Sequence, residues 1–145
     1  MSALEIVLLV GGILVVVAVL NLAVWVPVAR RSSRMSGDLT AELATTGEQV
    51  VLGPANGLYR GASAPGYSRV KGNSVVVLTD RRLIIRKVTG GRIEIPRAAV
   101  TGVREDAVFR GSIIGGRTHV IVEVEGGEVG FMVPDPHLWA ETLAS

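Results

Sequence analysis

The side chains able to do chemistry are few, and their spacing works against them. Cysteine is absent from the 145-residue chain, which excludes thiol catalysis, disulfides, thiolate zinc sites and iron–sulfur clusters. Ser63 lies in GASAP, which lacks the final glycine of a nucleophile elbow and has no strand-to-helix setting. GYSRVKG, residues 66–72, has neither the glycine spacing nor the Lys-Ser/Thr pair of a phosphate loop. Glu105 and Asp106 are neighbours on a predicted strand, so they point to opposite faces and form no acid–base pair. His119 falls on the solvated face of a predicted strand and His137 in the first turn of the last predicted helix. A metal needs three or more converging ligands, and nothing supplies the rest. Both histidines are therefore expected to be ordinary surface residues. GSIIGG, residues 111–116, reads as a glycine-rich hairpin connection. The expectation is a non-enzyme with no catalytic residue, cofactor or metal.

The elements that carry these residues begin with a membrane segment. Residues 6–26, IVLLVGGILVVVAVLNLAVWV, contain Asn21 as the single strongly polar side chain. As a helix they cover roughly 31 Å, close to the ~30 Å hydrocarbon core of a bilayer. A signal peptide carries its positive charge before a shorter apolar core. Here Glu5 is the only side-chain charge before the run, and Arg30, Arg31 and Arg34 follow it. Those arginines place the following chain in the cytoplasm, with Met1 outside and Trp25 at the inner interface. The expected location is the plasma (inner) membrane, single-pass. Gly11, Leu14, Ala18, Asn21 and Trp25 share one helical stripe, where small residues and an amide suit a partner helix or a second copy.

Charge removes one class of partner. Three of the fifteen basic and one of the thirteen acidic residues lie in residues 1–35, which leaves twelve of each beyond. The sequence pI of about 9.5 thus reports the juxtamembrane arginines, and no nucleic acid is expected. The same arginines attract anionic lipid. The chain divides into a membrane helix (1–29), a basic juxtamembrane linker (30–48), with a turn or two of helix from Asp38 to Ala44, and a β domain (49–145).

That domain reads as short apolar runs at 49–52, 57–62, 74–79, 82–88, 92–95, 100–109, 118–125 and 128–133, an antiparallel all-β signature. A Gly126–Gly127 turn sets Val124 against Val129, Val122 against Phe131 and Val120 against Val133. An Asp80–Arg81 turn pairs Leu78 with Leu83, Val77 with Ile84 and Val76 with Ile85. A Gly90–Gly91 turn sets Lys87 opposite Glu94, but puts Arg86 beside Val88 and Ile93. Either Arg86 lies at an open rim or that register is off by one. Val76, Leu78, Leu83 and Ile85 then form a second apolar face, to be covered by the linker, a second copy or a protein partner. At the end, Asp135 caps a helix with Pro136 first and Trp139 and Leu143 on its apolar edge.

GNSVVVLTDRRLII (72–85), GGRIEIPRAAVTGV (90–103) and a closing helix with an apolar Trp139 resemble the bacterial pleckstrin-homology-like (PH-like) domains and the related GRAM domains. The likeness covers residues 48–145. It implies a mainly β fold, a bent antiparallel barrel or sandwich of about seven strands capped by one C-terminal helix. A span followed by such a domain is similar to small membrane proteins described as transport or export components. The lipid-binding version of the family implies contacts from Arg60 and from Arg69 and Lys71. The reading of function is a non-catalytic, membrane-anchored PH-like module that organises or regulates a membrane protein complex. The alternatives are an accessory component of a transporter or export system and an anionic-lipid sensor.

Overall fold

The computed structural model describes residues 2–145, with the side chains of residues 24–32 outside that description. The expectations for Trp25, Arg30 and Arg31 therefore fall outside the described residues. The chain forms helix α1 (Ala3–Thr46), strands β1 (Val50–Ala62), β2 (Gly72–Thr79), β3 (Arg82–Lys87) and β4 (Arg92–Pro96), a 3₁₀ turn (Arg97–Ala99), strands β5 (Gly102–Asp106), β6 (His119–Val124) and β7 (Gly127–Met132), and helix α2 (Pro136–Ala144).

Helix α1 is 44 residues long, about 66 Å of axis. Ser2 and Glu5 close a capping box at its start, and Gly47, at φ 74°, ends it in the left-handed conformation. Residues Ala3–Ala23, with mean hydropathy 2.9, are long and apolar enough to cross a membrane, a test that a signal sequence near an N-terminus also passes. The expected linker, residues 30–48, is helical as far as Thr46. Met35, Leu39 and Leu43, spaced by four, make an apolar stripe within its polar sequence. That stripe is buried against Val75, Val77 and Ile84, with Val88 at its margin.

The seven strands form one antiparallel sheet in the order β4-β3-β2-β1-β7-β6-β5, and the sheet is not closed. β1 absorbs two expected runs and serves both halves. Val50–Tyr59 pairs with β2 and Leu58–Ala62 with β7, with register shifts at Val50/Leu52, Leu52/Ala55 and Tyr59/Gly61. Such irregularities bend a strand, and they let one sheet wrap a core on its concave side. That core takes Tyr59, Val76, Leu78, Leu83, Ile85, Ile93, Ile95, Val120, Val122, Phe131 and, from α2, Trp139 and Leu143.

Three registers can be compared with expectation. The β2–β3 hairpin pairs Val76 with Ile85, Val77 with Ile84 and Leu78 with Leu83, as expected. Its two faces have the opposite roles, however. Val76, Leu78, Leu83 and Ile85 belong to the main core and are fully buried, while the face needing a cover is Val75, Val77 and Ile84, which α1 supplies. In the β6–β7 hairpin Val124 faces Gly127, Val122 faces Val129 and Val120 faces Phe131, two places from expectation. An even slip keeps each residue on its face. Gly126, at φ 84°, takes the turn, whereas a Cβ on Gly127 would lie 2.6 Å from the Ala64 nitrogen. Gly127 therefore admits the neighbouring loop rather than making the turn. Between β3 and β4 the innermost pair is Arg86 with Arg92, followed by Ile85 with Ile93 and Leu83 with Ile95. The connection is four residues, 88–91, not two, and Arg86 lies on the α1 side of the sheet, away from the core.

A chain of ion pairs fastens the docked end of α1. Glu42 meets Arg92 at 2.6 Å, Arg92 meets Glu94 at 3.2 Å, Glu94 meets Arg82 at 2.9 Å and Arg82 meets Glu48 at 2.8 Å. The hydrogen bond from Arg92 holds the Glu42 carboxyl below its ordinary value, so its contribution is present above the usual glutamate range and is lost as pH falls through the depressed value. Because the pair is open to solvent, Glu42→Gln is expected to cost less than about 1 kcal/mol at neutral pH, read as a small shift in thermal midpoint.

Pro136 opens α2 and Asp135 occupies its cap position, although the Asp135 side chain makes no capping bond. Trp139 meets Phe131 edge-on at 6.2 Å. At the other end Arg97 Nη2 donates to the Thr142 carbonyl at 3.0 Å and the Ser145 carbonyl at 3.4 Å, satisfying acceptors that a helix terminus leaves open.

Candidate functional site

From Gln49 to Thr79 the sequence contains no carboxylate, and this stretch builds β1, β2 and the loop between them. The loop, residues 63–71, is anchored from below. Tyr59 O–H donates to the Ser68 carbonyl in a short hydrogen bond, and Lys87 Nζ donates to Ser68 Oγ at 3.0 Å. Lys87 also stands 5.9 Å over the Tyr59 ring, a distance at which an aromatic face attracts a cation. Burial pushes the Tyr59 phenol up to about 12, so it remains a donor at any physiological pH. Lys87 is only 8% exposed, and no carboxylate pairs with it among the described residues. Burying a cation without a counter-ion is costly, and here the aromatic face and one hydroxyl are what offset the cost.

Above this base, Arg69, Val70 and Lys71 are all exposed, Val70 to 66%. Arg110, from the β5–β6 loop (107–118), donates to the Ala62 carbonyl at 2.9 Å. A Cβ placed on Gly61 would lie 3.1 Å from the Arg69 carbonyl and 3.4 Å from Arg110 Nη1, so the two loops meet where only glycine fits. The β5–β6 loop also carries no carboxylate. The β1–β2 loop thus exposes Arg69 and Lys71, with Lys87 holding it at Ser68 and Arg110 meeting it beside Gly61. Lys87 and Arg110 were missed in the sequence, since their approach to the loop depends on strand order and a folded-back loop.

The other expected contacts are dispersed. Arg60 is half-buried on the outer face of β1, where it donates to His119 Nε2 at 3.2 Å and to Ser112 Oγ. Arg34 is exposed on α1. Gly11, Ala18 and Asn21 lie on the exposed apolar part of α1, and the Asn21 amide donates to the Val17 carbonyl of its own helix at 2.8 Å. Val76, Leu78, Leu83 and Ile85 are buried in the core and present no outward surface.

The residues weighed for catalysis have other work. Ser63 Oγ accepts the Glu128 N–H at 3.0 Å. Glu105 takes His137 at 2.9 Å, a hydrogen bond that raises the imidazole value, while Asp106 pairs with Arg104 at 3.2 Å. His119 is fully buried, contrary to the surface position expected, because the β5–β6 loop folds over its face of the sheet. Among the described residues no three potential metal ligands converge. A cavity of about 370 Å³ beside the β1–β2 loop is lined by Pro65, Tyr67, Ala98, Ala99, Thr101, Val124 and Glu125, a set with no nucleophile–base pair. No protein-family model matches the chain and no curated protein matches it, so the geometry of the site alone carries the reading of function.

Proposed function

We propose that this chain is a non-catalytic, single-pass PH-like module of the plasma membrane, N-terminus outside and sheet domain cytoplasmic, whose β1–β2 loop binds anionic lipid headgroups. The observation that carries this reading is a carboxylate-free stretch, 49–79, whose loop exposes Arg69 and Lys71 and is held at Ser68 by buried Lys87 of β3, with no ion pair among the described residues to neutralise the three cations. A cation near an anionic bilayer surface contributes about 1 kcal/mol, and the exposed Val70 between two cations suits shallow insertion.

The path of α1 favours the same loop. After Gly47 the chain meets the β2–β3 turn, where Glu48 accepts from Thr79 Oγ1 at 2.8 Å and Gln49 N–H donates to Asp80 at 3.1 Å. The docked helix therefore approaches from the opposite end of the sheet, which carries the β1–β2 loop. That end faces the apolar part of α1 and hence the bilayer.

The test uses the full chain in nanodiscs of phosphatidylcholine alone or mixed with phosphatidylglycerol. Amides of residues 66–72 are expected to gain hydrogen-exchange protection in the anionic discs and to lose it as salt rises. Arg69→Ser with Lys71→Ser should weaken that preference by about 2 kcal/mol, roughly thirtyfold. Equal protection in both lipids would sink the reading.

A second reading, a module organising or regulating a membrane complex or serving a transporter or export system as an accessory, is favoured by a groove of about 400 Å³ along α1. Leu8, Leu9, Gly12, Ile13, Val16 and Val17 line it. A polytopic protein retained at stoichiometric level in mild detergent would support that role over the lipid one.

A further inference from the structure

Both ring nitrogens of buried His119 are engaged, and by groups of opposite character. Arg60 Nε–H lies 3.2 Å from Nε2, and the Asp106 carbonyl oxygen lies 3.2 Å from Nδ1. A guanidinium only donates and a carbonyl only accepts, so one tautomer is fixed, with the proton on Nδ1 and a bare Nε2. A second proton would set N–H against N–H and bring two cations into contact.

This contact holds the β5–β6 loop down. The Arg60 guanidinium donates to Ser112 Oγ, and Ser112 exchanges backbone hydrogen bonds with Phe109 at 3.1 and 2.9 Å. The Phe109 ring lies 5.9 Å from the His119 ring and rests on Gly130, where a Cβ would come within 2.5 Å of it. Beneath the loop, Ile121 and Met132 are fully buried yet stand apart from the main core. Gly130 is the register partner of Ile121 and stands two places from Met132 on the same face of β7, so the Phe109 ring lies over this patch.

The charged groups facing His119 are Arg60 from β1 and the Asp106 carboxylate from β5, the latter already taken by the Val108 N–H and Arg104. From β7, Glu128 is held by Arg104, and from the loop, Arg110 is turned to the Ala62 carbonyl. Among the described residues no free carboxylate stands ready to accept a hydrogen bond from a protonated Nε2.

We propose that the His119–Arg60 contact is a proton-operated latch, in which the neutral ring keeps residues 107–118 closed and proton uptake releases the loop to uncover Phe109, Ile121 and Met132. Burial holds the His119 imidazole below its ordinary value, in keeping with this arrangement. The closed form binds the proton less well than the open one. Closure is therefore fully favoured above about pH 6.5, the open ring's value, and weakens as pH falls, about tenfold in the open-to-closed ratio per pH unit until the depressed value is reached.

The chain has two histidines, so His137→Gln leaves His119 as its sole imidazole. In full-length His137→Gln protein, held in neutral nanodiscs, the ring is followed by NMR and the Phe109 and Ser112 amides by hydrogen exchange from about pH 7.5 to about pH 5. Corrected for intrinsic chemistry, their exchange should rise about tenfold per unit below pH 6.5 as the ring takes up its proton, while Val76 and Val77 stay protected. Adding His119→Gln should flatten the profile. A ring that remains neutral to pH 5 with the loop protected, or one that titrates without any change in loop exchange, overturns the latch, and neither readout depends on His119→Gln folding. Neutral lipid keeps the result separate from headgroup binding.

Discussion

Leu39→Asp is expected to release the docked end of α1 from the sheet while leaving the main core folded. Leu39 is fully buried, packed in one cluster with Met35, Leu43, Val75, Val77 and Ile84. Truncating such a leucine costs about 2–5 kcal/mol, and a carboxylate adds the burden of an unpaired charge in an apolar site. The ion pair of Glu42 with Arg92, worth less than about 1 kcal/mol, is too weak to hold the helix alone. None of the three sheet residues beneath belongs to the main core cluster. In the full-length variant, amides 36–46 should lose hydrogen-exchange protection and trypsin should cut readily after Arg34, while amides of β6 and β7 keep theirs. Retained protection at 36–46 would show that the helix stands without its apolar stripe. The uncovered Val75, Val77 and Ile84 should also bind an apolar dye, and the anionic-disc preference proposed for the β1–β2 loop is expected to be absent from this variant.

The periodicity of residues 74–85 makes both faces of the β2–β3 hairpin apolar, and that much is legible in the sequence, down to the pairing of Val77 with Ile84. Which face turns inward is not legible, because alternation marks two faces without ranking them. The cover was likewise hidden. Met35, Leu39 and Leu43 are three apolar residues among serines, threonines and glycine, too sparse to announce a packed helix until the sheet they fit is known. The β6–β7 hairpin shows a different limit. Two adjacent glycines suggest a turn, yet Gly127 is there to let Ala64 approach, a tertiary demand that local turn chemistry does not encode. At the candidate site, Arg69 and Lys71 are legible as neighbours in sequence, whereas Lys87 meets the loop at Ser68 and Arg110 meets the end of β1 at Ala62 only through strand order and loop closure. His119 was misplaced for the same reason: alternation puts it opposite the core face, and a folded-back loop then buries that side as well.

Trp139→Ala should act on the other side of the sheet and with a different signature. The indole is 4% exposed, meets Phe131 of β7 edge-on at 6.2 Å, and brings Cη2 to 3.2 Å from where a Cβ on Gly53 of β1 would stand. One side chain thus ties α2 to strands from both halves of an open sheet. Its removal is expected to cost about 3–5 kcal/mol, a large share of the 5–15 kcal/mol that holds an ordinary domain together. The thermal midpoint should fall by upwards of about 12 °C, with near-UV dichroism and β6–β7 exchange protection failing together. Leu138→Ala, one position away and 43% exposed, should leave the midpoint nearly unchanged, which separates loss of packing from loss of helix propensity. Set beside Leu39→Asp, the comparison has mechanical content. Two helices from opposite ends of the chain cover two faces of one sheet, and if the faces are energetically separate, the first variant frees a tether and the second melts a core. Simultaneous loss of β6–β7 protection in both would mean that the tether and the core are a single cooperative unit, so that any force on α1 would be felt across the whole sheet.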